Sequence, residues 1–180
     1  MLTITVPARE LYDEKQNLFY TIKEQKLQLE HSLVSLSKWE SKWHKPFLSQ
    51  QEKTEEEMLD YIRCMTITQN VKPETYLCLT DINMQQIEDY INDPMTATTF
   101  SDHENKKFGR EIITAEIIYY WMIALNIPPQ YEKWHLNRLI TQIKVCNIKN
   151  QPPKKMSRRE TMSRNAALNA SRRKRLNTKG

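Results

Sequence analysis

Two stretches of this chain carry side chains whose types and spacing could do chemistry. In SKWESKWHK, Trp39 and Trp43 stand four residues apart, and so do Lys38 and Lys42. Four residues make one helical turn, so the two indoles stack and the two ammonium groups line up. Aromatic rings interleaved with lysines can stack bases and hold phosphates. The plainer reading makes both tryptophans core anchors of an amphipathic helix, with the lysines at its solvent edge. The second stretch is SRRETMSRNAALNASRRKRLNTKG. Its Arg158, Arg159, Arg164, Arg172, Arg173, Lys174 and Arg175 could meet an acidic protein partner or the phosphates of a nucleic acid. No aromatic residue occurs there, so base stacking is unavailable and nucleic acid would be bound without sequence preference.

The rest of the chain offers little to an active site. Glu116 shares a helical face with Ile112, Ile113, Tyr120 and Ile123, which predicts a buried carboxylate paired with Arg138 or Lys144. Glu55, Glu56 and Glu57 fall in the first turn of a helix, where they favour the positive end of its dipole. His31, His44, His103 and His135 are not spaced as metal ligands, and Cys64, Cys78 and Cys146 form no C-x-x-C pair. An odd number of scattered cysteines suits a reducing cytosol. With only two glycines, Gly109 and Gly180, no glycine-rich phosphate loop can be written, and no nucleophile elbow occurs. The expectation is a protein with no catalytic residues, no metal and no cofactor.

The elements that must position these side chains are mostly helical. Residues 1–32 read as an N-terminal β element of two or three strands: LTITV alternates, and KLQLE puts Leu27 and Leu29 on one face. A helical body over 33–150 follows, with about five helices. Leu33, Leu36, Trp39 and Trp43 give the first its stripe, which Pro46 stops. Thr54 and Glu57 form a capping box at the start of the second, whose stripe is Met58, Ile62 and Met65. Pro73 opens a short helical turn, and Met84, Ile87 and Ile91 line the helix that ends before Pro94. Residues 93–109 read as a long polar loop. EIITAEIIYYWMIALNIPP is apolar on nearly every face, which predicts the middle of the core or an oligomer interface. At 14 residues, its most apolar run, 112–125, is short of the ~20 needed to span a membrane. YEKWHLNRLITQIKVCNIKN reads as the last long helix, with Leu139 among its packing residues. Gln151-Pro152-Pro153 then sets off a basic arm, 151–180, flexible or weakly helical.

Charge divides the same way. From Lys154 to Gly180 ten Lys/Arg stand against Glu160, a net of +9; the other 153 residues carry 17 basic and 21 acidic groups, a net of −4. MLTITVPARE shows no basic segment followed by an apolar one, so no signal peptide is expected.

Four stretches, LEHSLVSLSKWESKWHKPFL, LDYIRCMTITQNV, EIITAEIIYYWMIALNIPPQYEKWHLNRLITQIKVCN and RNAALNASRRKRLNTKG, resemble small proteins encoded in the structural gene clusters of long-tailed bacteriophages. These are read as tail assembly chaperones. The resemblance implies a helical, self-associating, non-enzymatic protein in the cytoplasm of the infected host. Its partners would be the tape measure protein, which it keeps soluble, and the tail tube protein; many such chaperones also have a frameshift-extended form. Surfaces able to hold a partner helix would involve Trp39, Trp43, Tyr119, Trp121, Trp134 and Leu139. The alternatives are a virion structural protein, such as a connector or tail component, and a DNA-binding protein acting through the arm.

Overall fold

The computed structural model describes residues 1–13, 18–100, 112–150 and 157–178. The chain divides into two units, Met1–Ile148 and Lys149–Gly180. The first begins with four short strands, β1 (Leu2–Val6), β2 (Arg9–Asp13), β3 (Leu18–Ile22) and β4 (Gln25–Leu29). β1 pairs antiparallel with β4, and β2 with β3. The paired residue numbers add up to 31 in both ladders, so they keep one register along a single ribbon. The ladder breaks at Pro7, which has no N–H to donate. Alternation does the rest: Ile4, Val6, Leu27 and Leu29 turn inward and are buried, while Thr3, Thr5, Lys26 and Gln28 face out.

Among the described residues of this unit, five α-helices follow. α1 (Leu33–Trp43) starts at Ser32, whose hydroxyl accepts from the Ser35 N–H. It ends at His44, in the left-handed region at φ 53°, two residues before Pro46. α2 (Glu55–Met65) carries the Thr54–Glu57 capping box that the spacing predicts. A 3-10 turn, Pro73–Cys78, leads to α3 (Asp81–Asn92), capped by Thr80. α4 (Ala115–Ala124) and α5 (Leu136–Asn150) follow. The mainly helical fold with a small N-terminal β ribbon is the one the periodicity predicts.

Three elements differ from the sequence reading. The N-terminal β element has four strands rather than two or three, because Arg9–Asp13 pairs with Leu18–Ile22. The last helix does not run from Tyr131: residues Pro129–Lys133 form a 3-10 turn, and Trp134 is extended. Pro129 opens this turn, where its missing N–H is not needed, and the extended backbone of Trp134 separates it from the helix that follows. α5 begins where the Leu136 N–H reaches the His31 carbonyl at 2.7 Å. The central helix, moreover, is α1 rather than α4. α1 packs on both α2 and α4, and its Leu33, Leu36 and Trp39 are at most 1 % exposed, each contributing about 1.5–3 kcal/mol of burial. α4 turns only Ala115, Ile118 and Met122 fully inward.

In the second unit, α6 (Arg158–Leu176) runs from a Ser157–Glu160 capping box to Asn177, left-handed at φ 49°. None of its side chains is buried. Its helicity therefore rests on caps and on good helix formers such as Ala166, Ala167 and Ala170.

Candidate protein-interaction site

The tryptophan helix is occupied with its own packing. The Trp39 and Trp43 rings stack with centroids 6.2 Å apart, as their spacing predicts. Trp39 is 1 % exposed, and its Nε1–H donates to the Glu57 carbonyl at 2.8 Å. Half-buried Trp43 donates its Nε1–H to Asp60 Oδ2 at 2.8 Å, and Lys42 binds Oδ1 of the same carboxylate at 2.6 Å. Lys45 reaches Glu57 in the same seam. These anchors face α2, so the core reading of SKWESKWHK prevails over base stacking. Burial pushes the Asp60 carboxyl up, but the bonds from Lys42 and Trp43 outweigh it and hold it below its ordinary range. Glu57 is lowered chiefly by its bond from Lys45.

Glu116 is exposed, not buried. The guanidinium of Arg138 instead lies 4.3 Å from the centre of the Trp134 ring, and the Lys144 ammonium lies 5.6 Å from that of Phe100. The buried carboxylate that faces α4 is instead Glu40, on α1. One oxygen accepts from the Phe47 N–H at 2.8 Å and the other from the Ala115 N–H at 2.7 Å. The second bond caps α4, whose own N-cap, Thr114, supplies no side-chain bond. Burial raises the Glu40 carboxyl above its ordinary value, against the pull of these two N–H donors. Nothing in the local sequence of Glu40 marks its part in α4, because the Ala115 donor lies 75 residues away.

The orientation of α4 follows from this cap. With Ala115, Ile118 and Met122 turned inward, the opposite face carries Glu116, Tyr120 and Ile123. Tyr120 is 67 % exposed and Ile123 76 %, and Ile112, just before the helix, is 60 % exposed. Tyr119 and Trp121, named from the sequence, lie on either side of this face and are half-buried. Tyr119 donates its hydroxyl to Glu132 at 3.1 Å, and its pKa is pushed up to about 12, chiefly by burial. Half-buried Trp134 stacks on Tyr131 at 3.7 Å, and Leu139 is fully buried. Trp39 and Leu139 are thus core side chains with no surface to offer. The legible signal for the outer face was Glu116: it is the one charged residue of α4, and Tyr120 and Ile123 follow it at i+4 and i+7.

A groove of about 480 Å³ runs along α2 and α3, floored by Met58, Ile62, Met84 and Ile87 with Asp81 and Glu88 at its edge. Unbranched methionines adapt to irregular partners. His31 and His135 meet edge to face at 5.1 Å, both buried. His31 Nδ1 bonds the Tyr61 hydroxyl, and His135 Nε2 the Tyr90 carbonyl at 2.9 Å. Burial, followed by the nearby His135, lowers His31 to about 3; burial also lowers His135. Of the other two histidines, His44 is exposed and His103 lies outside the described residues. Among the described residues no group of three or more His, Cys, Asp or Glu side chains could hold a metal ion, and no helix is long and apolar enough to cross a membrane.

The seven cations named from the sequence, Arg158, Arg159, Arg164, Arg172, Arg173, Lys174 and Arg175, all lie on α6 and are exposed. No protein-family model, curated protein or solved structure matches the chain.

Proposed function

We propose that this chain is a non-enzymatic assembly chaperone of a long-tailed bacteriophage, acting in the host cytoplasm and holding an apolar helix of the tape measure protein. The observation that carries the reading is the outer face of α4, where Tyr120, Ile123 and Ile112 stand in solvent. A tape measure helix presents long apolar stripes, and exposed aromatic and aliphatic anchors at i and i+3 suit such a stripe. The buried carboxylates speak for the same reading. Glu40, Glu57 and Asp60 each hold N–H or ammonium donors of the fold, which leaves them employed in structure. The resemblance to tail assembly chaperones supplies the partner's name. Self-association and a contact with the tail tube protein belong to the same proposal.

Co-expression with the tape measure protein of the same phage tests it. The expected outcome is a several-fold gain of soluble tape measure protein that co-purifies with this chain. Equal solubility with and without the chain would sink the proposal.

A further inference from the structure

We propose that α6 is a DNA-docking helix that lies in the major groove of duplex DNA and holds it through phosphates. This goes beyond the chaperone reading and rests on the second unit alone. α6 carries seven cations against Glu160, a net of +6. Successive residues turn by about 100° around a helix. On that wheel the cations fall on every side: Arg158 and Arg172 together, Arg159 and Arg173 next, Lys174 beyond them, and Arg164 with Arg175 opposite.

Helix stability explains only part of this set. Cations in the last turn, Arg173, Lys174 and Arg175, complement the negative end of the dipole. Arg158 and Arg159 sit in the first turn, where the dipole is positive and like charge is unfavourable. They call for an anion from outside. An apolar protein groove does not fit either. Met162 and Leu168 are 64 % and 46 % exposed, and Leu168 is flanked on its own face by Arg164, Arg172 and Arg175 at i−4, i+4 and i+7. No stripe of apolar anchors can be drawn.

A polyanion with charge on both sides of the helix does fit. The B-DNA major groove, about 12 Å wide, admits a helix between two phosphate walls. Nineteen residues span about 28 Å, enough to cross it. The narrow major groove of A-form RNA does not admit side chains. The absence of aromatics from α6 removes the stacking that single-strand binding uses. Contacts to phosphate alone carry no sequence information, so the binding is unspecific.

Fluorescence anisotropy of the full chain with a labelled 20-base-pair duplex tests this. The expected plot of log affinity against log salt has a slope of roughly −4 to −6, for five to seven phosphates neutralised. Arg172→Ala, Arg173→Ala, Lys174→Ala and Arg175→Ala together should weaken binding at low salt by about a hundredfold and flatten the slope by about three to four. Ala166→Pro keeps every cation but breaks the helix, and should weaken binding about tenfold or more. Duplex RNA of the same length should bind about tenfold or more weaker than DNA. Because α6 buries no side chain, both variants should keep the denaturation midpoint of the first unit. No DNA binding at low salt, or an unchanged quadruple variant, overturns the proposal. Equal affinity for RNA, or an unaffected Ala166→Pro, overturns it too, by showing charge without a groove. Salt-sensitive self-association without DNA retention, abolished by the same four substitutions, would assign α6 to the acidic body of a second copy and overturn it as well.

Discussion

At the scale of single residues, the decisive group is Glu40. Its two oxygens hold the N–H of Phe47 and of Ala115, so one side chain on α1 fixes both the chain after α1 and the start of α4. Glu40→Ala would leave two buried donors unpaired, at about 1–3 kcal/mol each in addition to the lost bonds. The variant is therefore expected to lose about 3–5 kcal/mol in urea denaturation, with Glu40→Gln, which keeps one acceptor, losing about half that. A loss below about 0.5 kcal/mol would show that α4 does not depend on this cap. The sequence pointed to Glu116 as the buried carboxylate because it sits among isoleucines and tyrosines. Burial, however, is set by what lies opposite, and α1 lies opposite Ala115, Ile118 and Met122, not Glu116. Trp39, by contrast, was legible: its i−3 and i+4 neighbours, Leu36 and Trp43, define a core stripe from spacing alone.

At the scale of elements, local chemistry was readable and tertiary override was not. The Thr54–Glu57 box is written into four residues, and the structure shows both of its bonds, Glu57 N–H to Thr54 Oγ1 and Thr54 N–H to Glu57 Oε2. Thr54→Ala should accordingly cost about 1 kcal/mol in the same denaturation assay; no change would mean that the Lys45–Glu57 pair alone holds that turn. The alternation of LTITV and KLQLE gave the ribbon its inward face. Its single register through Pro7 was hidden, because register depends on pairing between strands up to 27 residues apart. The start of α5 was hidden for the same reason: the His31 carbonyl that takes its first N–H lies over a hundred residues earlier. α4 is the instructive element. Nearly uniform apolarity leaves Glu116 as the one mark of its outer side, and the sequence reading turned that mark inward.

At the scale of the whole molecule, the histidine pair predicts a pH dependence. His31, lowered to about 3, and His135, also lowered, stay neutral in the folded protein where they take up protons in the unfolded chain, at an ordinary value of 6.5. The stability they permit is full above that value and declines as pH falls toward their folded values. Glu57 and Asp60, held low, add a loss of the same sign below the ordinary carboxylate range. Glu40, held high, acts in the opposite sense, its contribution fading as pH rises through its folded value. Two histidines outweigh one carboxyl, so stability should drop by about 1–3 kcal/mol between pH 6.5 and 5, at up to about 1.4 kcal/mol per unit for each histidine. His31→Gln should roughly halve that slope; an unchanged slope would remove His31 from the account. The central claim concerns binding, and it is tested most directly on the outer face of α4. Tyr120→Lys with Ile123→Glu leaves the core residues Ala115, Ile118 and Met122 in place, so the variant should fold with an unchanged far-ultraviolet spectrum. The measurement is the tape measure protein recovered in soluble complex with this variant, against the amount recovered with the natural chain. A fall of about tenfold or more is the predicted result, as expected from losing two interface anchors; undiminished recovery would contradict the account.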